Sequence, residues 1–223
     1  MTSGRSRRRA IGLPHACALV LVTIGLAVAS VPGAALARSS PLSLSERVIK
    51  HGEFAGFGPF GTPQTTLIPD ASSWISGDSS YSAAEASATI AALRREGFKS
   101  ALVEQLGTPT KNWAGVSWVV QLGSAGSARV QLAADVRHWI RADRKLSFTY
   151  KAFRAGAIPG AQGFFLKGTP NELIGDNVEF ADGSFLYLVG DGWVPGTKKT
   201  PPRAALIRAA GKLYARVRGH PAR

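Results

Sequence analysis

The spacing of apolar residues changes along the chain, and each change predicts a different element. In residues 82–97, apolar residues recur at helical intervals, after the capping-box pair Ser82 and Glu85 and before Gly97. Residues 203–218 show the pattern most clearly, with apolar residues at Leu206, Ala210, Leu213 and Val217. Intervals of three and four line one face of an amphipathic helix. Residues 124–144 have a similar apolar face at helical spacing. The pattern therefore predicts three main helices.

Runs of β-branched and aromatic residues predict strands between these helices. They occupy residues 116–122, 148–153, 162–168 and both halves of 177–190. In the last run, Asp182-Gly183 supplies the positive φ angles of a type I′ hairpin turn. Residues 98–106 fit either a helix or a strand. This order of elements predicts an α+β fold: an antiparallel sheet of about four to six strands, packed with helices and closed by a C-terminal helix.

Residues 38–80 are predicted to form an N-terminal helix followed by a loop rich in Gly, Pro and Phe. Ser43 and Glu46 have capping-box spacing, in which a hydroxyl and a carboxylate satisfy free backbone N–H groups. We expect the aromatic side chains of the loop to pack against an α+β core of residues 81–223. The segments 38–80 and 81–223 are therefore treated as one domain.

The first 37 residues have the three parts of a secretory signal peptide. Arginines precede an apolar run over residues 16–31, and Ala35 and Ala37 have the spacing of an A-x-A cleavage site. A bilayer span needs about 20 apolar residues, whereas this run is shorter and ends at Pro32. We therefore expect cleavage after Ala37 and a secreted or cell-envelope protein. The alternative is a protein that keeps this segment as an N-terminal membrane anchor.

The composition of the chain after residue 37 restricts its chemistry. The only cysteine, Cys17, leaves with the signal peptide, so neither a disulfide nor a thiolate nucleophile is expected. The formal net charge falls from +13 to +9, because four arginines leave with the same segment. Such an excess favours anionic partners. Outside the cytoplasm these are an apolar or anionic small molecule, a lipid or an acidic wall polymer, rather than nucleic acid.

Candidate catalytic groups are few. No serine lies in a nucleophile-elbow motif, and the histidines of the mature chain lack the spacing of metal ligands. Neither a metal nor a cofactor is expected. Carboxylates near residues 176–191, including Asp176 and Glu179, leave open a hydrolase acting on wall glycan or ester, which would need two of them across a cleft. The sequence leans towards a non-enzymatic function.

Aromatic and basic residues are the candidates for binding. Trp113 and Trp193 are predicted to lie in polar loops, and pairs of cations recur at intervals of four residues in two predicted helices. We expect an apolar groove between sheet and helices, lined by aromatics and rimmed by cations that bind an anionic group. The candidate ligand-binding residues are Trp113, Trp193, Arg137, Arg141, Arg208 and Lys212.

The chain resembles small exported proteins of actinobacterial type in four segments: VSWVVQLGSAGSARVQLAADV, AIPGAQGF, NVEFADGSFLYLVG and AALIRAAGKLYARV. Those proteins are lipoprotein-like or sensor-domain-like α/β sandwiches, several without known activity. The resemblance covers about residues 83–218, although the chain lacks the lipobox of the lipoprotein members. It implies an envelope location and a binding or sensing role, and it transfers no site residues. We expect a monomeric binding module, with a structural or protein-interaction module as a further alternative.

Overall fold

The computed structural model describes residues 41–50, 52–60, 64–76, 78, 80–108, 112–145, 149–156, 158–168, 174–193, 196–197, 199–218 and 220. The predicted signal peptide, residues 1–37, lies outside the described residues. A 3₁₀ helix spans Leu44–Glu46, and the α-helices are α1 (Ala71–Ile75), α2 (Ala83–Arg95), α3 (Ala125–Lys145) and α4 (Arg203–Val217). The strands are β1 (Gly58–Pro59), β2 (Thr65–Ile68), β3 (Ser100–Thr108), β4 (Trp113–Gln121), β5 (Thr149–Phe153), β6 (Gln162–Lys167), β7 (Ile174–Asp182) and β8 (Phe185–Trp193). Within these ranges, none of the helices has the length and apolarity that a bilayer span requires.

The strands form one antiparallel sheet in the order β1-β3-β4-β8-β7-β6-β5, and β2 also pairs with β3. The α+β class and the closing C-terminal helix are confirmed. The sheet has eight strands in the described part of the chain, more than the four to six expected. The ambiguous segment 98–106 contributes most of β3, and two short strands, β1 and β2, follow the outer edge of β3.

Helices cover both sides of the sheet. Side chains alternate between the two sides of a strand, so neighbouring residues belong to different cores. On one side, α4 and the segment before β1 pack on residues such as Val119, Val178 and Tyr187. On the other side, α1, α2 and α3 pack on Ala101 and Leu186, among others. We call these the α4 side and the α3 side.

The hairpin between β7 and β8 turns one residue later than predicted. Asp182 pairs with Phe185, so the two loop residues are Gly183 and Ser184. Gly183 has a φ of 56°, whereas Asn112 is the one non-glycine residue with a positive φ among those described. Glycine at the first loop position, followed by a residue without positive φ, makes this a type II′ turn rather than type I′.

The N-terminal segment is less helical than predicted. The capping box forms, with the Ser43 N–H donating to Glu46 Oε2 at 2.8 Å, but the helix is only the short 3₁₀ helix already described. Phe54 and Phe57 are buried in the core of the α4 side, as expected for the aromatic residues of this segment.

Candidate functional site

The two predicted tryptophans meet at one end of the sheet. They lie in strands rather than loops, Trp113 at the start of β4 and Trp193 at the end of β8, directly opposite each other. The Trp113 indole N–H donates to the Lys199 carbonyl oxygen at 2.7 Å, and its ring lies 6.0 Å from that of Phe57. Trp113 is therefore a core residue. Trp193 is half-buried and packs against Phe165.

The four predicted cations do not converge on one site. Arg137 and Arg141 lie on α3, Arg208 and Lys212 lie on α4, and all four are exposed. Since α3 and α4 pack on opposite sides of the sheet, the two pairs face opposite directions. Only one pair at a time can contact a single partner surface.

The carboxylates of β7 are also divided between the two sides of the sheet. Asp176 lies on the α4 side, where its carboxylate accepts two hydrogen bonds from Arg203, at 3.0 and 2.8 Å. Glu179, three residues later, points to the α3 side. Asp176 and Glu179 therefore cannot flank one substrate.

Asp191 lies beside Asp176 on the α4 side. Asp191 Oδ1 accepts a hydrogen bond from the backbone N–H of Asp176, and Oδ2 has no partner among the described residues. Burial raises the pKa of Asp191 to about 7, and the neighbouring Asp176 charge acts in the same direction. This acid is enclosed, since Asp191 is only 6% exposed. It is placed to affect stability rather than to reach a substrate.

The inner face of α3 carries an unusual stripe of polar side chains. Gln131, Asp135 and His138 recur at helical spacing and point towards the sheet, where Gln131 and His138 are buried. Gln131 Nε2 donates to Asp135 Oδ1 at 2.7 Å. Below them, β7 contributes Glu179, which is 1% exposed. A polar contact therefore lies inside an otherwise apolar layer.

Asp135 and Glu179 are close enough in this layer for each to affect the pKa of the other. Both oxygens of Glu179 are buried without a hydrogen-bond partner among the described residues. Burial raises the pKa of both acids, and the Asp135 charge raises that of Glu179 further. Ionising two neighbouring buried carboxylates together is costly, which favours a state in which the pair keeps one proton between them.

Ser80 lies between Asp78 and His138, and this is not the order of a hydrolytic triad. The Ser80 hydroxyl donates to Asp78 Oδ1, and its oxygen lies 2.8 Å from His138 Nε2. Because the single hydroxyl hydrogen is given to the carboxylate, the imidazole N–H must donate to the serine. A nucleophilic serine needs the opposite, an imidazole that accepts its proton. The three residues instead tie the segment before α2 to α3.

Tyr81 closes this polar layer. Its ring stacks on His138 with 3.9 Å between centroids. Burial raises the pKa of Tyr81 and lowers that of His138. Within the described ranges, no three His, Cys, Asp or Glu side chains are grouped to hold a metal ion.

A shallow groove of about 240 Å³ lies between α3 and β6. Its lining residues are Arg129, Leu132, Ala133, Val136 and Gln162. The groove is thus aliphatic with one cation, not aromatic as the sequence analysis expected. Ligand pockets usually measure roughly 300–1,000 Å³, so this groove suits an aliphatic chain better than a whole ligand.

The outer surface of α3 continues from this groove. One arc of the helix holds six residues, here called the outer face of α3: Arg129, Val130, Ala133, Val136, Arg137 and Arg141. Val130 is 51% exposed and is one of three exposed large apolar side chains in the described ranges. The three arginines have no ion-pair partner among the described residues. Arg137 and Arg141 were predicted from the sequence, whereas Arg129 and the aliphatic residues of this face were not, although all of them share the same helical spacing.

Comparisons with known proteins leave the family open. No protein-family model matches the chain, and no curated protein matches it. Among solved structures, it is similar to the extracellular domain of PknH from Mycobacterium tuberculosis, with a TM-score of 0.48 and 10% sequence identity. The match covers 81% of this chain and 96% of that domain. No functional statement follows from a likeness at this level.

Proposed function

We propose that this chain is a non-catalytic binding module of the cell envelope and that it binds the anionic surface of a lipid bilayer through the outer face of α3. The observation that carries the proposal is the composition of that face. Three exposed arginines without ion-pair partners in the described part of the chain lie among the exposed Val130 and Ala133 and the half-buried Val136. The envelope location rests on the signal-peptide pattern of residues 1–37.

This composition suits the interface between lipid headgroups and acyl chains. Helices that lie in this interface bury an apolar strip and surround it with Lys and Arg. On α3, Val130 and Val136 supply the apolar strip, while Arg129, Arg137 and Arg141 supply cations for lipid phosphates. The groove between α3 and β6 adds an aliphatic surface next to Arg129, where an acyl chain could pack.

The other candidate partners and functions use fewer of these features. An acidic wall polymer would pair with the arginines but would leave Val130 without a role. A small molecule would need a larger enclosed volume than the groove offers. The hydrolase alternative needs two carboxylates across one cleft, whereas Asp176 and Glu179 point to opposite sides of the sheet. Asp176 is also paired with Arg203.

The test is binding of the mature chain to phosphatidylcholine vesicles with and without phosphatidylglycerol. We expect binding only to the anionic vesicles, weakening as salt is added because the contact is electrostatic. A cation near an anionic membrane contributes about 1 kcal/mol. The double variant Arg137→Gln/Arg141→Gln should therefore bind about 30-fold more weakly.

The matched control is Arg208→Gln/Lys212→Gln, which removes two cations at the same helical spacing from the opposite side of the sheet. It should change binding by about twofold or less, because only the overall charge is affected. An equal loss in both double variants would reject the outer face of α3 as the contact surface. Absence of binding to anionic vesicles would reject the proposed function itself.

A further inference from the structure

We propose that the Asp135–Glu179 pair is a proton-controlled support for α3, so that a fall in pH strengthens binding through the outer face of α3 and a rise in pH weakens it. The inference rests on the proposed function, because it concerns regulation of the same surface. Its physical basis is independent of any partner. It is the position of two contacting acids between α3 and the sheet.

The pair lies between α3 and β7, one of the three strands on which α3 packs. Asp135 belongs to α3 and Glu179 to β7, and these elements pack directly on one another. Glu179 has no hydrogen-bond partner among the described residues, and the neighbouring acid that raises its pKa is Asp135. Asp135 itself accepts a hydrogen bond from the Gln131 amide. Protonation of one acid lets it donate to the other, which holds α3 to β7.

Among the described residues, no buried cation compensates the pair when both acids ionise. On α3, the nearest titratable or charged neighbours are His138 and Arg141, and Arg141 is exposed. The segment before α2 contributes Asp78 and Tyr81, which are an acid and a phenol.

As far as the structure describes them, the strands around the pair supply no cation either. Strand β5 contributes the phenol of Tyr150. Strand β6 contributes the neutral Gln162, and β8 contributes Leu188, each directly opposite Glu179. The described surroundings are therefore acidic or neutral, apart from the exposed Arg141 and an imidazole whose pKa is lowered by burial.

Loss of the shared proton changes the support of the outer face of α3. Two like charges at neighbouring buried positions repel one another, so α3 separates more readily from β7. The outer face is then held less firmly in its binding position, so binding to an anionic surface falls as pH rises.

The pair is also continuous with the groove. Gln162, which lines the groove, is the cross-strand neighbour of Glu179. Leu132 and Val136, also lining residues, lie one turn before Asp135 and next to it on α3. A displacement of α3 at Asp135 therefore changes the groove and the outer face together.

The first measurement is amide hydrogen exchange of the whole mature chain without vesicles, from about pH 5 to about pH 8, expressed as protection factors. For α3 amides we expect protection to fall with rising pH, by up to about tenfold per pH unit while opening releases one proton. Glu179→Gln keeps the shape of the neutral acid and should remove this decline. Asp135→Asn is the second variant and should have the same effect.

Two control variants identify the group responsible. Asp191→Asn removes an acid of raised pKa on the α4 side, so the fall in protection of the α3 amides with rising pH should be unchanged. His138→Gln tests the imidazole that also titrates beneath α3, and it too should leave the decline in place. The inference is overturned if Glu179→Gln retains the full pH response, or if His138→Gln alone abolishes it.

The second measurement is the pH dependence of binding to the phosphatidylglycerol vesicles. Wild type should bind more tightly at pH 5 than at pH 8, by about tenfold for one proton coupled over one pH unit, whereas Glu179→Gln should bind with little pH dependence. If wild type binds no vesicles at any pH, the proposed function fails. The exchange experiment then still decides whether the pair controls α3, so the two failures are distinguishable.

Discussion

Arg47 is a buried cation without a carboxylate partner among the described residues. Its guanidinium donates to the Tyr187 hydroxyl at 2.7 Å, the Leu42 carbonyl at 3.2 Å and the His220 carbonyl at 2.8 Å. It also lies 3.9 Å from the centre of the Phe185 ring. One residue therefore ties both ends of the described chain to the sheet, using neutral acceptors and an aromatic face instead of an ion pair.

Replacement of Arg47 should destabilise the protein strongly. Arg47→Ala leaves a cavity and three polar groups without their donor, and each hydrogen bond to a charged group contributes about 1.5–3 kcal/mol. We expect the free energy of unfolding, measured by urea denaturation, to fall by about 3 kcal/mol or more. The control Arg218→Ala, at an exposed site of the C-terminal end, should cost about 0.5 kcal/mol. Equal losses would contradict this role for Arg47.

Regular elements with local signals could be predicted from the sequence. The capping pair Ser82 and Glu85 marks the start of α2, and the apolar spacing of 203–218 marks α4. The segment 98–106 remained ambiguous because β3 is covered on both sides and lacks a simple polar–apolar alternation. The hairpin turn was placed one residue early because Asp182 and Gly183 fit a type I′ turn locally. The pairing of Asp182 with Phe185 decides the register instead.

The candidate site was less accessible to such patterns. Glu179 was recognised as an acid of interest, but its partner Asp135 lies on a different element, 44 residues away in the sequence. No local spacing predicts that contact. The side of the sheet on which each helix packs was equally unknown, and it is this arrangement that separates Arg137 and Arg141 from Arg208 and Lys212.

At the scale of the element, the capping box of α2 gives a direct test. The Ser82 hydroxyl accepts from the Glu85 N–H at 3.3 Å, and Glu85 Oε2 accepts from the Ser82 N–H at 3.0 Å. Ser82→Ala should lower the free energy of unfolding by about 1 kcal/mol. Ser87→Ala, within the same helix and also exposed, should change it by about 0.5 kcal/mol or less. A smaller effect at Ser82 than at Ser87 would show that the box does not stabilise α2.

At the scale of the whole molecule, the described residues include carboxyls of raised pKa on both sides of the sheet. On the α3 side, burial raises the pKa of Asp135 and Glu179, and on the α4 side burial raises that of Asp191 to about 7. The folded state therefore binds protons that the unfolded chain releases above its ordinary carboxyl pKa of about 4. His138 acts in the opposite direction, since burial lowers its pKa and the unfolded chain takes up the proton first.

These groups together predict that the protein is most stable at mildly acidic pH. The free energy of unfolding falls with rising pH wherever the folded state binds more protons than the unfolded chain. Between about pH 4 and about pH 7, the three acids of raised pKa have a larger effect on it than the one histidine of lowered pKa. Asp191 alone accounts for up to about 4 kcal/mol of this decline. Urea unfolding across that range should show this fall in the free energy of unfolding for wild type. The fall should be smaller in Glu179→Gln or Asp191→Asn, and smallest in the double variant. Asp182→Asn, with the same charge change at the hairpin, should keep the wild-type profile. If the double variant also kept the wild-type pH dependence, these acids would not be the groups that bind the additional protons in the folded state.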